Sequence, residues 1–240
     1  MISPISIIIL LGLIIILFLF YILAFRMKWR EIWASLLPPL VQKIPPYITP
    51  NQLSITGFFI LIIAALFIYL AKFNYFFFLW AAVVGWIYAL FDSLDGILAR
   101  IRNQTSNTGI FLDQTLGEVN ELVILFSLIL GGHIRAELVV ATMIGGLFYS
   151  FISNQSQALT GSRLPESDRP RWLMLGFLLL LVAFFVKFSG LETFNISGMK
   201  IRSLDAFFII VPIYYLAITL YRTYFLWGEL KKLDQGKRRP

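Results

Sequence analysis

Five of the thirteen acidic residues in this chain sit close together, in the stretch FDSLDGILARIRNQTSNTGIFLDQTLGEVNEL (91–122): Asp92, Asp95, Asp113, Glu118 and Glu121. Asp92 and Asp95 are three apart, so on a helix they share one face. Asp113 follows the polar connection IRNQTSNTG and enters a second helix from the same side. Carboxylates converging from two antiparallel helices repel one another unless a cation sits between them. Their oxygens suit a hard ion such as Mg²⁺, which keeps waters and takes substrate phosphates as its remaining ligands. Gly96, beside the pair, lets a ligand approach the helix closely. Arg100, one turn further, is placed to meet a phosphate oxygen. A plainer alternative is that the acids cap helix ends or pair with Arg100 and Arg102. A lone Asp would be read that way, but the spacing of the set favours the cation.

These residues must be held by membrane helices. The chain has 240 residues, 59% hydrophobic and only 14% charged. Soluble domains run at about 45–50% apolar and about 25% charged. Apolar residues come in runs of about 20, the length that crosses a bilayer core of roughly 30 Å as a helix. Helix is required there because lipid offers no partner to an unpaired backbone amide. Seven spans are expected, at 5–25, 53–72, 75–98, 110–131, 136–158, 172–189 and 205–227. The first lacks a preceding basic residue and a small-residue cleavage site, so it reads as a retained N-terminal transmembrane helix (1–26) rather than a secretory signal. Residues 27–50 read as an interfacial amphipathic segment, with Trp29, Ile32, Trp33 and Leu36 at helical spacing and breaks at Pro38–Pro39 and Pro45–Pro46. The remainder is one helical bundle (51–228) with a basic, loosely ordered tail (229–240).

Charge placement sets the orientation. Of 20 Lys and Arg, five (Lys72, Arg135, Lys187, Lys200, Arg202) fall at one set of span ends and the other fifteen at the opposite set. The richer side, which carries the acidic cluster and the C-terminus, is expected to be cytoplasmic, with the N-terminus outside. The net charge of +7 therefore reads as membrane topology and attraction to anionic lipid, not as nucleic-acid binding. With no cysteine, thiolate metal sites and disulfides are excluded. His133, the single histidine, falls on the outer side, away from the acids.

The acidic stretch resembles the signature of the CDP-alcohol phosphotransferase family, D-x2-D-G-x2-A-R-x8-G-x3-D-x3-D. Asp92, Asp95, Gly96, Ala99, Arg100, Gly109 and Asp113 match seven of its eight fixed positions. The segment ITPNQLSITG (48–57) resembles the start of the family's first core helix. The resemblance implies an all-α polytopic membrane protein: a six-helix bundle, here with one extra N-terminal helix. It also implies transfer of a phosphoryl-alcohol unit from a CDP-linked lipid, usually CDP-diacylglycerol, to an acceptor hydroxyl, with release of CMP. By the same resemblance Asp92, Asp95 and Asp113 hold Mg²⁺ or Mn²⁺, while Gly96, Ala99, Arg100, Gly109 and Asn51 shape the nucleotide site. Membrane lipids and a homodimeric partner are compatible with it.

Two departures shape the expectation for catalysis. The family's last aspartate, its general base, would stand at 117, where this chain has Gly117. Glu121 is the acid nearest in direction to that gap, about 40° from position 117 on the helical wheel against about 100° for Glu118. Its side chain leans toward the helix N-terminus, over the space left by the glycine, so Glu121 is the first candidate base and Glu118 the second. Second, FISNQSQAL (151–159) places Ser153, Gln155 and Gln157 where relatives with phosphorylated acceptors carry charge, so an unphosphorylated acceptor is expected. The loop GSRLPESDRPRW retains Arg163, Arg169 and Arg171, resembling a family loop also rich in arginine, with positive-inside topology as the plainer alternative. Besides a phospholipid-forming transferase, the sequence leaves open a catalytically impaired pseudoenzyme that binds nucleotide or lipid, and a transporter or ion-pathway protein. Acids gathered at one face, rather than at mid-bilayer, disfavour the transporter.

Overall fold

A computed structural model of the chain describes residues 36–161, 172–188, 190, 193–196 and 199–237. The expected span at 5–25 lies outside them, as do residues 27–35 of the amphipathic segment. Elements follow in the order α1 (Pro38–Val41), α2 (Pro50–Leu70), α3 (Phe76–Ile101), α4 (Asn107–Leu130), α5 (Ala136–Thr160), α6 (Trp172–Phe188), β1 (Thr193–Ile196), β2 (Met199–Arg202) and α7 (Ser203–Lys237). A helix stands at each of the six expected spans from 53–72 onward. Among the described residues, four segments are long and apolar enough to cross a membrane: α2, α3, α5 and residues Phe208–Gly236 of α7. Their outward faces carry large apolar side chains, among them Phe59, Leu66, Trp80, Phe148, Ile213 and Leu216. So much exposed apolar surface suits lipid and not water.

The chain divides into two compact units. In the first, α2 packs along both α3 and α4, and α1 packs against α3. Thr49 starts α2 with a reciprocal cap: its hydroxyl accepts from the Gln52 amide (3.3 Å) while Gln52 Oε1 accepts from the Thr49 amide (2.8 Å). Pro38 and Pro39 open α1 instead of breaking a helix. They occupy its first turn, where a missing amide hydrogen costs nothing. Leu37, Val41, Leu53, Leu94, Ile97 and Leu98 form the buried cluster under this corner. Arg102 fastens it from the end of α3, donating to the carbonyls of Ile44 (2.6 Å), Pro45 (3.2 Å) and Ile48 (2.7 Å). Arg102 thus serves the backbone before α2 and does not neutralise the acidic cluster. The link from α3 to α4 is short, and Asn103 turns it with a left-handed backbone (φ 53°).

In the second unit α5 packs on α7. Gly145 permits the approach, since a Cβ there would come within 2.7 Å of Tyr215 Cβ. At one end the β1–β2 hairpin, antiparallel with Thr193 opposite Arg202, leads into α7. The buried Asp205 carboxylate accepts from the Arg135 amide (2.8 Å) and Arg202 Nε (2.9 Å), while Arg202 Nη1 donates to the Gly132 carbonyl (2.8 Å). The tail expected to be loose instead continues α7 to Lys237. Its residues 229–235 include neither glycine nor proline, and Lys232 pairs with Glu229 at 2.8 Å.

Candidate active site

Three helices of the first unit wall one narrow cleft, lined by Ser54, Gly57, Tyr88, Asp92, Asp95, Asp113, Leu116 and Asn120. The lining follows helical periodicity. Ser54 and Gly57 are one turn apart on α2; Tyr88, Asp92 and Asp95 follow i, i+4, i+7 on α3; Asp113, Leu116 and Asn120 follow i, i+3, i+7 on α4. The three expected aspartates therefore do meet in one place. Asp95 is the deepest of them, buried, with its carboxylate accepting from Ser54 Oγ at 2.5 Å. Asp92 and Asp113 are more open. The phenol of Tyr88 donates to Asp92 Oδ1 (3.2 Å) and accepts from Asn120 Nδ2 (2.9 Å).

The other expected residues lie about one turn nearer the same helix ends. Gly96 follows Asp95, and a Cβ on it would sit 3.5 Å from Nη1 of Arg100, so the guanidinium folds back over the glycine. Gly109 lies against Asn51: a Cβ there would meet Asn51 Oδ1 at 3.4 Å and Ser106 Oγ at 3.2 Å. Ser106 also caps α4 by accepting from the Gly109 amide (3.1 Å). Ala99 is half-buried on α3. Glu118 and Glu121 are half-buried and do not line the cleft. Taking 100° per residue from Asp113, Asn120 stands at about −20° and Glu121 at about 80°, so Asn120 is the residue on the cleft wall.

Sequence reasoning passed over Ser54, Tyr88 and Asn120. For Tyr88 and Asn120 the signal was present as polar groups one or two turns from the aspartates inside apolar spans, whereas Ser54 lies on a helix without an aspartate and only packing brings it to Asp95. Arg222 was read as a topology charge, but it is buried in the second unit. Its guanidinium lies 4.0 Å from the Tyr149 ring centroid and donates to Ser153. The neutral face at Ser153 thus has a cation from another helix beside it. His133 is buried outside the cleft lining.

Among the described residues, no three His, Cys, Asp or Glu side chains are already gathered in metal-binding geometry. The donor chemistry nevertheless fits a hard divalent ion. Three carboxylates line one cleft, and the buried Asn120 Oδ1 lacks a hydrogen-bond partner.

Fold and site together define a polytopic α-helical membrane protein with an acid-lined cleft between three helix ends. The family model for CDP-alcohol phosphatidyltransferases matches residues 47–231, and the chain belongs to that family. It is 38% identical over 104 residues to an archaetidylinositol phosphate synthase from Pyrococcus horikoshii, covering 43% of this chain. The match spans about half the length (53%) of that curated relative. Two crystal structures of phosphatidylinositol phosphate synthase from Mycobacterium tuberculosis share the fold. The one in complex with manganese and citrate aligns at TM-score 0.57 and 23% identity, over 75% of this chain and 83% of that one. The one with CDP-DAG bound aligns at TM-score 0.59 and 21% identity, over 82% and 94%.

Proposed function

We propose that the chain is a membrane transferase that moves a phosphatidyl-type group from a CDP-linked lipid to an acceptor hydroxyl and releases CMP. The observation that carries this reading is the meeting of Asp92, Asp95 and Asp113, from two helices, in one cleft. In this reading the three aspartates hold Mg²⁺ or Mn²⁺, which when bound neutralises the diphosphate and stabilises charge developing in the transition state. Ser54 fixes Asp95. Arg100 meets phosphate oxygens across Gly96, and Asn51 with Gly109 borders the nucleotide at the starts of α2 and α4. The acceptor oxygen bonds to the lipid-bearing phosphorus and gives up its proton to solvent, the bond from that phosphorus to the bridging oxygen breaks, and CMP leaves with that oxygen. CDP-diacylglycerol is the first donor to test and its archaetidyl counterpart the second.

For the acceptor we propose a phosphorylated polyol, inositol phosphate first. Both relatives' names support it, as does the buried Arg222 cation beside Ser153. An unphosphorylated acceptor is the second reading, supported by the uncharged Ser153, Gln155 and Gln157. Radiolabelled CMP release from purified protein with donor, Mg²⁺ or Mn²⁺ and matched acceptor pairs decides between them. Inositol phosphate should exceed inositol by about tenfold to a hundredfold, the scale of about 1.5–3 kcal/mol for a hydrogen bond to a charged group. Inositol or glycerol outpacing its phosphate would reverse the assignment. No release with any pair would remove the transferase reading and leave a nucleotide-binding pseudoenzyme.

We place the cleft and the C-terminus on the cytoplasmic side, with the N-terminus outside. Reporter fusions at Ile2 and Pro240 should report opposite sides; the same side for both would remove the span at 5–25.

A further inference from the structure

We propose that Tyr88 and Asn120 form a positioning bridge that holds the Asp92 carboxylate in register with Asp113 and leaves the Asn120 amide oxygen as a fixed acceptor inside the cleft. The proposal rests on the reading of the cleft as a divalent-ion site. Both residues are almost wholly buried, Tyr88 at 4% exposure and Asn120 at 2%, although each carries polar atoms within a membrane helix. Burying an amide there costs free energy unless its groups are satisfied, so an apolar side chain would serve packing better.

The direction of every hydrogen bond in the chain is determined. An ionised carboxylate only accepts, so the phenol hydrogen of Tyr88 goes to Asp92 Oδ1 (3.2 Å). The phenol oxygen must then accept its second bond from an N–H, which turns Asn120 Nδ2 toward it (2.9 Å). Asn120 Oδ1 is thereby left facing elsewhere, buried and with no protein partner. It belongs to a residue that lines the cleft, so a hydroxyl of a bound ligand is the chemistry it would accept.

The bridge also couples two helices. Tyr88 stands one turn before Asp92 on α3, and Asn120 stands two turns after Asp113 on α4. Fixing the phenol between them sets the spacing of the two carboxylates that must share a cation. Gly57 on α2 backs the ring, since a Cβ there would lie 3.7 Å from Tyr88 Cδ2. The donor is neutral, as the task requires. A Lys or Arg at 88 would neutralise Asp92 and compete with the cation, whereas a phenol orients the carboxylate without displacing it.

The test uses the full chain in nanodiscs and titrates Mn²⁺ by the electron-paramagnetic-resonance signal of the free ion, with no nucleotide present. Tyr88→Phe keeps the ring and removes the bridge. It should weaken Mn²⁺ binding by about 10–100-fold, the usual effect of losing a group that orients a metal ligand. The variant should still unfold cooperatively, at a midpoint lowered by a few degrees because the buried Asn120 amide loses its acceptor, and CMP release should recover as Mn²⁺ is raised. Asn120→Leu should give a loss of similar size. The double variant should be no weaker than the worse single one, because the two residues act as one chain. Parent-like Mn²⁺ affinity in Tyr88→Phe, or losses that add, would overturn the bridge while leaving the ion site standing. If the parent binds no Mn²⁺ that Asp95→Asn removes, the ion-site reading fails and the bridge with it.

Discussion

Asp95→Asn is expected to lower CMP release by about a thousandfold and to abolish the divalent-ion dependence of CDP binding. A metal ion acting as a Lewis acid contributes several kcal/mol to transition-state stabilisation, and each 1.36 kcal/mol is tenfold in rate. The effect should be largest at Asp95, because this carboxylate is the buried one and Ser54 holds it in place. Asparagine preserves size and can still bond to Ser54, so the fold should survive; only the charge is lost. CMP release and CDP binding with and without chelator, measured on the same preparation, check the prediction. Activity within tenfold of the parent would show that the cleft carboxylates do not carry the reaction.

The second large effect is a gain. Gly117→Asp is expected to raise CMP release by about a hundredfold, the lower range of what a positioned general base contributes. Position 117 lies at about 40° from Asp113 on the wheel, just beyond the arc of about −60° to 0° that Leu116, Asn120 and Asp113 present to the cleft, so an aspartate there would have to lean in beside Asp113. Beyond Asp113, the cleft face of α4 offers Leu116 and Asn120 but no acid. Asp is also a slightly better helix former than Gly, so the substitution should not cost stability through propensity. Glu121→Gln, by the same geometry, should lose less than tenfold. A hundredfold loss in Glu121→Gln would instead make Glu121 the base and show that it reaches over the glycine. If Gly117→Asp left the rate unchanged, deprotonation of the acceptor would not limit turnover.

The residues that could touch substrate phosphate or metal were legible in the chain itself. Fixed helical spacing converts Asp92, Asp95, Gly96, Ala99 and Arg100 into a face, and a bilayer permits little besides helix for runs so apolar. The positions of six helices, from α2 to α7, followed from the same two facts. The cation asymmetry was likewise a local pattern that needed no fold.

Other features belong to tertiary structure, because they depend on which faces meet. Pro38–Pro39 reads as a break in isolation, and becomes a helix start only because Leu37 and Val41 are buried against α2 and α3. Arg102 looks like a partner for the acids by sequence distance, yet the carbonyls of Ile44, Pro45 and Ile48 lie closer once the corner packs. Arg222 counts as a topology charge until α5 brings Ser153 and the Tyr149 ring to it. The wheel alone put Glu121 nearest the missing aspartate, because a wheel measures angle from a neighbour and not from the cleft. Packing of α4 against α2 fixed the inward direction, and that rotation set Asn120, with its bond to Tyr88 on α3, on the wall where an acid was expected.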